Sequence, residues 1–313
     1  ILSGLVGSEM CIRDSHKVFD GLKTSDITIL TETKFKADQI DRLKQEWNGM
    51  SIHSVSQSLN ASAGVSILFK RGLAFKPGKE GCDDEGRIVW AEVEISTKKL
   101  LIIGVYAPSD KDDPAFFEKL FGMLEGRNYD HLVISGDFNV GLDENLDYLG
   151  YSNKAPRPKS RTTIARCLKQ YGICDTFRER NPHKVENTWQ KRDKHQTHNI
   201  KQARLDYFLV DSEMRSFIEM AGAAESFNPE YDHRAILLKV DFCKVQRGAG
   251  YWKMNNALLD EPEYIDTVKS IIIRVTHDYQ TVEPGRPILS LSLIHISEPT
   301  RPERIACGGV GGE

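Results

Sequence analysis

Polar side chains of the kind that bind metal ions or move protons follow several apolar runs of this sequence. The clearest pair is Asp137 and Asn139, which come just after the apolar run at residues 132–134 and alternate across Phe138. A Ser-Gly pair at residues 135–136 is expected to break the strand, so both polar side chains leave its carboxyl end in the same direction. Layered α/β proteins bind ligands at that edge. An Asx-rich turn after an ordinary strand is the alternative for this stretch alone.

Two further polar residues follow predicted strands in the first half of the chain. Glu32 comes after the run at residues 26–30, in the same position relative to its strand as Asp137. Tyr106 lies near the end of the run at residues 99–107. Packing in the core is the alternative for Tyr106, because aromatic rings commonly fill such runs.

The second half of the chain adds a carboxylate that needs a partner. Asp206 lies within the apolar run at residues 204–210, where an unpaired charge is costly. Asp232 and His233 form a turn that enters the last predicted strand, and His233 offers the required donor. A plain buried ion pair is the alternative for Asp206.

The collected side chains supply hard oxygen ligands and a proton carrier without thiols. Such a set suits Mg²⁺ or Mn²⁺. Phosphodiester hydrolysis requires a cation on the phosphoryl oxygen, a base for the attacking water and donors for the charge of the transition state. The inventory matches these requirements.

The elements that must position these residues alternate between strands and helices. Further strands are predicted at residues 64–70 and 87–95. Helices are predicted with a buried face at Ile40, Leu43 and Trp47, after an Asp113-Pro114 cap, from a Ser160 cap to Gly172, and from about Pro262. This alternation is typical of an α/β fold.

Composition limits the class of protein. The chain has 313 residues, of which 40% are hydrophobic and 28% are charged, with a formal net charge of -3. No apolar run approaches the roughly 20 residues that a membrane helix needs, so no membrane association is expected. The cysteines outside the two ends have no C-x-x-C spacing, which favours a reducing compartment and no structural zinc; they are Cys82, Cys167, Cys174 and Cys243.

One segment is strongly basic although the whole chain is acidic. Residues 151–204 contain 14 Lys and Arg against 4 Asp and Glu, a local balance of 14 − 4 = +10. Such asymmetry is typical of a surface that faces phosphate groups. A solvated basic face without a partner is the alternative.

The two ends of the chain resemble translated sequencing-adapter DNA. If residues 10–15 are written as codons, the reverse complement translates as residues 291–296, and the match extends through residues 5 and 301. We therefore expect residues 1–15 and 291–313 to be non-native, and do not interpret the apolar start as a signal peptide.

Five short motifs carry a resemblance to a known family. They are, in chain order, TETK, VYAP, SGDFN, RLDYFLV and DHRAI. From about residue 20 to residue 241 they resemble the motif series of the endonuclease/exonuclease/phosphatase family, in particular its apurinic-endonuclease-like branch. The following segment, GAGYWKMNNALLDEPEYID, resembles the connector to the reverse transcriptase in non-LTR (LINE-type) retrotransposon polyproteins. The resemblance implies a four-layer α/β sandwich of two mixed β-sheets flanked by helices.

The resemblance also implies roles for the collected residues. Glu32 matches the principal metal ligand of the family, and Asp232 could assist a metal, which would be Mg²⁺ or Mn²⁺. Asp137 matches the residue that positions or deprotonates the attacking water, and Asn139 matches the neighbour that orients it.

The remaining roles concern the phosphate. Tyr106 matches the tyrosine that contacts it, and His233 would face the scissile phosphate while Asp206 holds the imidazole. Trp189 is expected to pack rather than to stack on a base.

The sequence departs from the family at its start. The family begins with a strand that carries an asparagine in an N-x-x-G setting, and adapter-like sequence occupies that place before Lys17. We therefore expect an N-terminally truncated domain at residues 16–242 that lacks its first strand, followed by a linker at residues 243–290 towards a missing reverse transcriptase. Such a chain is expected to be unstable or nearly inactive.

The function expected from these features is a divalent-metal-dependent DNA endonuclease that leaves a 3′-hydroxyl for reverse transcription. Its partners would be DNA and, through the reverse transcriptase, the element RNA, and the domain would be monomeric. It would be made in the cytoplasm and act in the nucleus, although no targeting signal is readable. The alternatives are a phosphatase of the same superfamily, acting on phosphoinositides or sphingolipids, and a catalytically dead nucleic-acid-binding module.

Overall fold

The computed structural model describes residues 2–6, 24–56, 63–151, 155–191, 201–224, 232–242 and 261–282. The chain divides into two compact units, Ile1–Lys244 and Val245–Glu313. Cys243, the adapter-like tail and most of the expected linker lie outside the described residues. Cys82, Cys167 and Cys174 have free thiols.

The elements follow one another in mixed order along the chain. The strands are β1 (Leu2–Val6), β2 (Ile27–Thr31), β3 (Ser51–Ser54), β4 (Val65–Phe69), β5 (Lys76–Cys82), β6 (Ile88–Ile95), β7 (Lys98–Tyr106), β8 (His131–Asp137), β9 (Tyr148–Leu149), β10 (Ile173–Asp175), β11 (Trp189–Gln190), β12 (Gln202–Ala203), β13 (Asp206–Asp211), β14 (Ile218–Ala223) and β15 (Ile236–Val240). The helices are α1 (Ile40–Trp47), α2 (Pro114–Gly122), α3 (Pro158–Tyr171), α4 (Thr176–Arg180) and α5 (Pro262–Val282). Short 3₁₀ helices span Ala37–Gln39 and Ser212–Phe217.

Two six-stranded sheets form the centre of the first unit. One has the order β14-β15-β1-β2-β4-β3 and the other the order β10-β13-β8-β7-β6-β5. Each contains one parallel pair, β1 with β2 and β7 with β8, among antiparallel neighbours. A third, small sheet has the order β11-β12-β9. The mixed sheets predicted from the family resemblance are confirmed.

Buried residues from both large sheets share one core, which includes Ile29, Val65, Ile102 and Val133. A second core covers the β8 sheet with α2 and α3, and a third covers the β2 sheet with α1. The result is the expected four-layer sandwich of helix, sheet, sheet and helix.

The first strand is present where the sequence analysis expects none. β1 pairs in parallel with β2, from Leu2 opposite Ile27 to Val6 opposite Thr31, and antiparallel with β15. Strand pairing is made by the backbone, and β2 and β15 would otherwise each present an unpaired row of polar groups inside the sheet. An extended segment of adapter-like sequence can therefore fill this position. The prediction that the domain lacks its first strand is wrong.

Two local predictions also differ from the structure. β8 does not break at residues 135–136 but continues to Asp137, because Gly136 pairs with both Val105 and Tyr207. Helix α3 begins at Pro158 rather than at a Ser160 cap, since Asp112, on the loop before α2, accepts hydrogen bonds from its first turn. Its predicted end at Gly172, in the left-handed conformation, is confirmed.

The described part of the second unit is helix α5. It carries exposed isoleucines at residues 271, 272 and 273. Among the helices that the structure describes, none combines the length and the apolar character needed to cross a membrane.

Candidate active site

Three buried groups meet where β8 and β13 lie side by side. Asp137 is the last residue of β8 and pairs with Asp206, the first residue of β13. The Nδ1 atom of His233 lies 2.9 Å from Oδ2 of Asp206, and its Nε2 atom lies 4.0 Å from Oδ2 of Asp137. The donor predicted for Asp206 is therefore His233, and the imidazole stands between two carboxylates.

Asn139 fixes the Asp137 carboxylate. The backbone N–H of Asn139 donates to Oδ1 of Asp137 at 2.7 Å, and its side-chain amide donates to Oδ2 at 3.0 Å and to the Ala107 carbonyl oxygen at 2.9 Å. Both oxygens of Asp137 are thus held by a single neighbour. The sequence predicts that the Asp137 and Asn139 side chains point the same way, and in the structure they contact each other directly.

Burial and neighbouring charges together raise the pKa values of both Asp137 and His233. Burial raises the pKa of Asp137 to about 7, and the nearby Asp206 charge adds to this, while His233 opposes it. Burial alone would lower the pKa of His233, but the Asp206 and Asp137 carboxylates outweigh burial and raise it to about 9. Near neutral pH the site therefore holds a protonated imidazole beside a carboxylate that can exchange a proton.

Glu32 and Tyr106 line the same cleft, and Tyr106 pairs with Asp137 where β7 and β8 lie side by side. Glu32 forms an ion pair of 3.3 Å with Lys34. Burial, reinforced by the charges of Glu32 and Asp137, raises the pKa of the Tyr106 hydroxyl, which stays protonated at neutral pH. The structure brings Tyr106 to the site although it also belongs to the core between the sheets.

Asp232 is held at the rim by Trp189. The indole Nε1–H donates to Oδ2 of Asp232 at 3.1 Å, and the Gln190 N–H donates to the Asp232 carbonyl oxygen at 2.9 Å. Trp189 also forms an isolated β-bridge with His233. Its half-buried ring faces the cleft, so it is part of the site as well as of the packing.

The backbone at the site adopts left-handed conformations that non-glycine residues rarely take. Glu32 has φ 54°, Asn139 has φ 52° and Arg157 has φ 56°, and all three line the cleft. Such conformations cost of order 1–3 kcal/mol each and tend to occur at functional sites. Their concentration here supports a functional cleft.

The cleft is open and has a cavity volume of about 330 Å³. All seven residues predicted from sequence line it or touch a residue that does; the cleft residues among them are Glu32, Tyr106, Asp137, Asn139, Asp232 and His233. Asp206 lies behind His233. Sequence reasoning missed the remaining wall, which is formed by Ser109, Tyr148, Tyr151, Pro156, Arg157 and Leu205. The sequence shows tyrosines at residues 148 and 151, just after the central motif, but it does not show where their rings point.

The chemistry and charge of the cleft residues suit a bound metal ion. Asp137, Asp206 and His233 offer ligand atoms that all lie within 4.8 Å of one another. Oδ1 of Asp206 is buried and has no hydrogen-bond partner among the described residues. Carboxylate repulsion contributes to the raised pKa of Asp137, and a cation would offset that excess of negative charge. With Glu32 and Asp232 in the same cleft, the residues fit a hard divalent cation such as Mg²⁺ or Mn²⁺.

Part of the basic segment has a structural role rather than a phosphate-facing one. Arg204 is 2% exposed and donates to Asp147 and Asp175, and Arg178 also donates to Asp147. Arg161 pairs with Glu144. The charge available to a ligand is therefore smaller than the sequence count indicates; the described basic residues on the surface or the cleft wall include Arg157, Lys159, Lys169, Lys191 and Lys201.

One family model and two curated proteins are similar to this chain in sequence. The Endonuclease/Exonuclease/phosphatase family model matches residues 10–217. The "Transposon TX1 uncharacterized 149 kDa protein" of Xenopus laevis is 28% identical over 250 residues, which are 78% of this chain and 18% of the relative. An "Exodeoxyribonuclease" of Bacillus subtilis (strain 168) is 26% identical over 215 residues, covering 63% of this chain and 81% of the relative. The chain thus spans less than a fifth of the Xenopus protein.

A solved structure has the same fold. An AP endonuclease from Archaeoglobus fulgidus superposes with a TM-score of 0.62 at 19% identity, over 77% of this chain and 100% of that chain. At this level of identity the likeness concerns the fold alone.

Proposed function

The chain belongs to the endonuclease/exonuclease/phosphatase family, and from that premise we propose that it is a divalent-metal-dependent endonuclease that hydrolyses phosphodiester bonds in DNA and leaves a 3′-hydroxyl. The family and the relatives support a hydrolytic nuclease or phosphodiesterase. We further propose that the ion is Mg²⁺, that the substrate is DNA and that the cut leaves a 3′-hydroxyl end.

One observation carries the proposal. His233 lies 2.9 Å from Asp206 and 4.0 Å from Asp137, and it lines an open cleft together with Asp137. A buried ion pair that served stability alone would not need an open cleft or a second carboxylate with a raised pKa. The arrangement places a carboxylate that can accept a proton beside an imidazolium that can donate one.

The residues divide the work of hydrolysis among them. Asp137, with a pKa near 7, accepts the proton of the attacking water, and the Asn139 hydrogen bonds orient its carboxylate. Protonated His233 donates from Nε2 to a phosphate oxygen, while Asp206 fixes the orientation of the ring. The water oxygen bonds to phosphorus as the P–O3′ bond breaks, and the leaving 3′ oxygen takes a proton from solvent, which gives a 3′-hydroxyl and a 5′-phosphate.

Two other parts of the cleft complete the proposed site. Tyr106 stays protonated and donates to a phosphate oxygen. A divalent cation, when bound by carboxylates such as Glu32 and Asp232, would supply positive charge for the phosphoryl oxygens.

The biological setting is a finer part of the proposal. The Xenopus relative is named as a transposon protein, which supports a role for this chain in an element that primes reverse transcription from the nicked strand. Three further points stay predictions. They are partnership with element RNA through a reverse transcriptase, a nuclear site of action and a monomeric state.

Product analysis tests the proposed reaction. An end-labelled DNA duplex is incubated with the protein and Mg²⁺, and the cut strand is then offered to a DNA polymerase. We expect internal cuts whose 3′ ends are extended without prior phosphatase treatment. Release of inorganic phosphate from a phosphoinositide without cutting of DNA would instead indicate a lipid phosphatase. Tight DNA binding with neither reaction would indicate a binding module.

A further inference from the structure

Thr188 lies directly before β11 and is 2% exposed. Its hydroxyl oxygen accepts two backbone N–H groups, from Leu205 at 3.0 Å and from Asp206 at 3.2 Å. Its own N–H donates to the Ala203 carbonyl oxygen at 2.9 Å. Thr188 is therefore tied to the point where β13 begins and where Asp206 leaves the backbone.

The same residue is tied to the segment that carries the histidine. The Thr188 carbonyl oxygen accepts the Arg234 N–H at 2.7 Å, and the neighbouring Trp189 pairs with His233. The Arg234 side chain strengthens this connection, because it donates to the carbonyl oxygens of Asn187 and Ala224 and pairs with Glu186. One threonine thus contacts both chain segments whose side chains form the 2.9 Å pair.

The sheet alone does not fix this pair. Asp206 is the first residue of β13, whereas His233 lies before β15, which begins at Ile236. Outside the regular strand, the position of His233 depends on its bonds to the segment at residues 188–190. Without the Thr188 oxygen, two buried N–H groups would lack an acceptor, and the backbone would shift to satisfy them.

We propose that Thr188 is a positioning residue that holds His233 and Asp206 in register through its hydroxyl oxygen and its carbonyl oxygen. It acts through the pair and does not touch the substrate. The proposal rests on the proposed function for its effect on catalysis, but the geometry it describes can be measured without catalysis.

The test uses three variants of the full chain. T188V removes the acceptor at nearly constant volume, and T188S retains it. T176V is a matched control, because Thr176 is also 2% exposed and its hydroxyl also bonds to β13, where it donates to the Phe208 carbonyl oxygen and not to Asp206 or its neighbours. Urea unfolding is measured for each variant so that loss of stability can be compared.

Two readouts are taken. The first is nicking of DNA with Mg²⁺: we expect T188V to lower kcat at least about tenfold with KM within about twofold, and T188S and T176V to stay within about threefold of the parent. The second is the low-field NMR resonance of the His233 ring N–H, identified by its loss in H233Q. We expect T188V to shift or lose this resonance and the other two variants to keep it.

The outcomes distinguish failure of the positioning role of Thr188 from failure of the proposed nuclease function. If T188V keeps both the resonance and the parent kcat, or if T176V loses both equally, the positioning role is wrong. If the parent never nicks DNA, the proposed function fails, and the resonance alone decides whether Thr188 holds the pair.

Discussion

Gly136 allows β8 to place Asp137 beside Asp206. It has φ 139°, and a Cβ atom at this position would overlap the Val105 carbonyl oxygen of the neighbouring strand. We expect G136A to lower the free energy of unfolding by about 3 kcal/mol or more and to reduce nicking, since left-handed strain and the clash add.

Urea unfolding measures this effect. G122A is the control, because a Cβ on Gly122 meets open space at the end of α2, and it is expected to change stability by less than about 1 kcal/mol. Equal stability of the two variants would show that Gly136 does not constrain the strand.

A histidine far from the cleft predicts how stability depends on pH. His53 lies on β3, with Nδ1 2.7 Å from the Ser66 hydroxyl and Nε2 3.0 Å from the Ser51 hydroxyl. Burial, helped by the charge of Lys44, lowers the pKa of His53 from 6.5 to about 4. The unfolded chain therefore binds this proton at higher pH than the folded chain, and stability falls as pH drops below about 6.5 and levels off below about 4.

The expected size of this effect is about 2 kcal/mol between pH 7 and pH 5. Unfolding is measured at both values for the parent, for H53Q and for H183Q, whose histidine is exposed. H53Q should lose about 2 kcal/mol less than the parent on acidification, and H183Q should follow the parent. A parallel fall in H53Q would mean that His53 is protonated in the folded chain.

A site residue could be predicted from sequence where its own chemistry demands a particular partner. The pairing of Asp206 with His233 could be inferred because a buried carboxylate must find a donor and His233 stands beside a strand end. Tyr148 and Tyr151 could not be inferred, because they lie on a two-residue strand and its loop, where no periodic pattern tells which way a side chain points.

At the scale of elements, a buried charge network connects the loop before β9 to β13 and α4. Arg204 donates to Asp147 at 2.8 Å and to Asp175 at 2.6 Å, and Arg178 donates to Asp147 at 2.7 Å. Burial acts to raise the pKa of Asp147, but the Arg204 charge outweighs it and the pKa is lowered. The network therefore fixes the segment that leads into β13.

Removing Arg204, at the centre of this network, should lower the free energy of unfolding. R204M leaves Asp175 without its arginine partner and Asp147 with Arg178 alone, and we expect it to lower the free energy of unfolding by about 3–5 kcal/mol. R166M removes an exposed ion pair with Glu118 and should cost less than about 1 kcal/mol. Chemical denaturation of both variants makes the comparison; a cost below about 1 kcal/mol for R204M would refute the structural role of the network.

Element boundaries depended on contacts that the sequence does not display. The start of α3 is set by Asp112 on a distant loop, and the continuation of β8 is set by two neighbouring strands. By contrast, the Asp113 cap of α2 is local, and its side chain accepts the Phe116 N–H as expected. Local capping chemistry is readable from sequence, whereas tertiary partners of a cap or strand are not.

At the scale of the whole molecule, β1 occupies the position where the family's first strand was expected, without the family's asparagine. Val6 pairs with Thr31, and Gly7 follows Val6 in the sequence as Glu32 follows Thr31. We expect G7N, which puts an amide directly after β1 in the sequence, to raise nicking at least about tenfold, the effect of about 1.4 kcal/mol at the transition state.

The change is checked by initial rates of nicking at saturating Mg²⁺, with G7A as the control for altered backbone freedom. An equal rise in both variants would attribute the gain to the backbone, and no rise in G7N would show that an amide at this position contributes nothing.

The most direct test of the central claim is the conversion of supercoiled plasmid to open circles by the parent and by G7N, each with Mg²⁺ and with EDTA, beside the same chains carrying D137N. The account predicts nicking that needs Mg²⁺, is greatest in G7N and falls at least about a hundredfold with D137N, since the base at the cleft is lost, while DNA binding by D137N is retained. Nicking that persists in D137N, or well-folded G7N protein that binds DNA and never nicks it, would contradict the account.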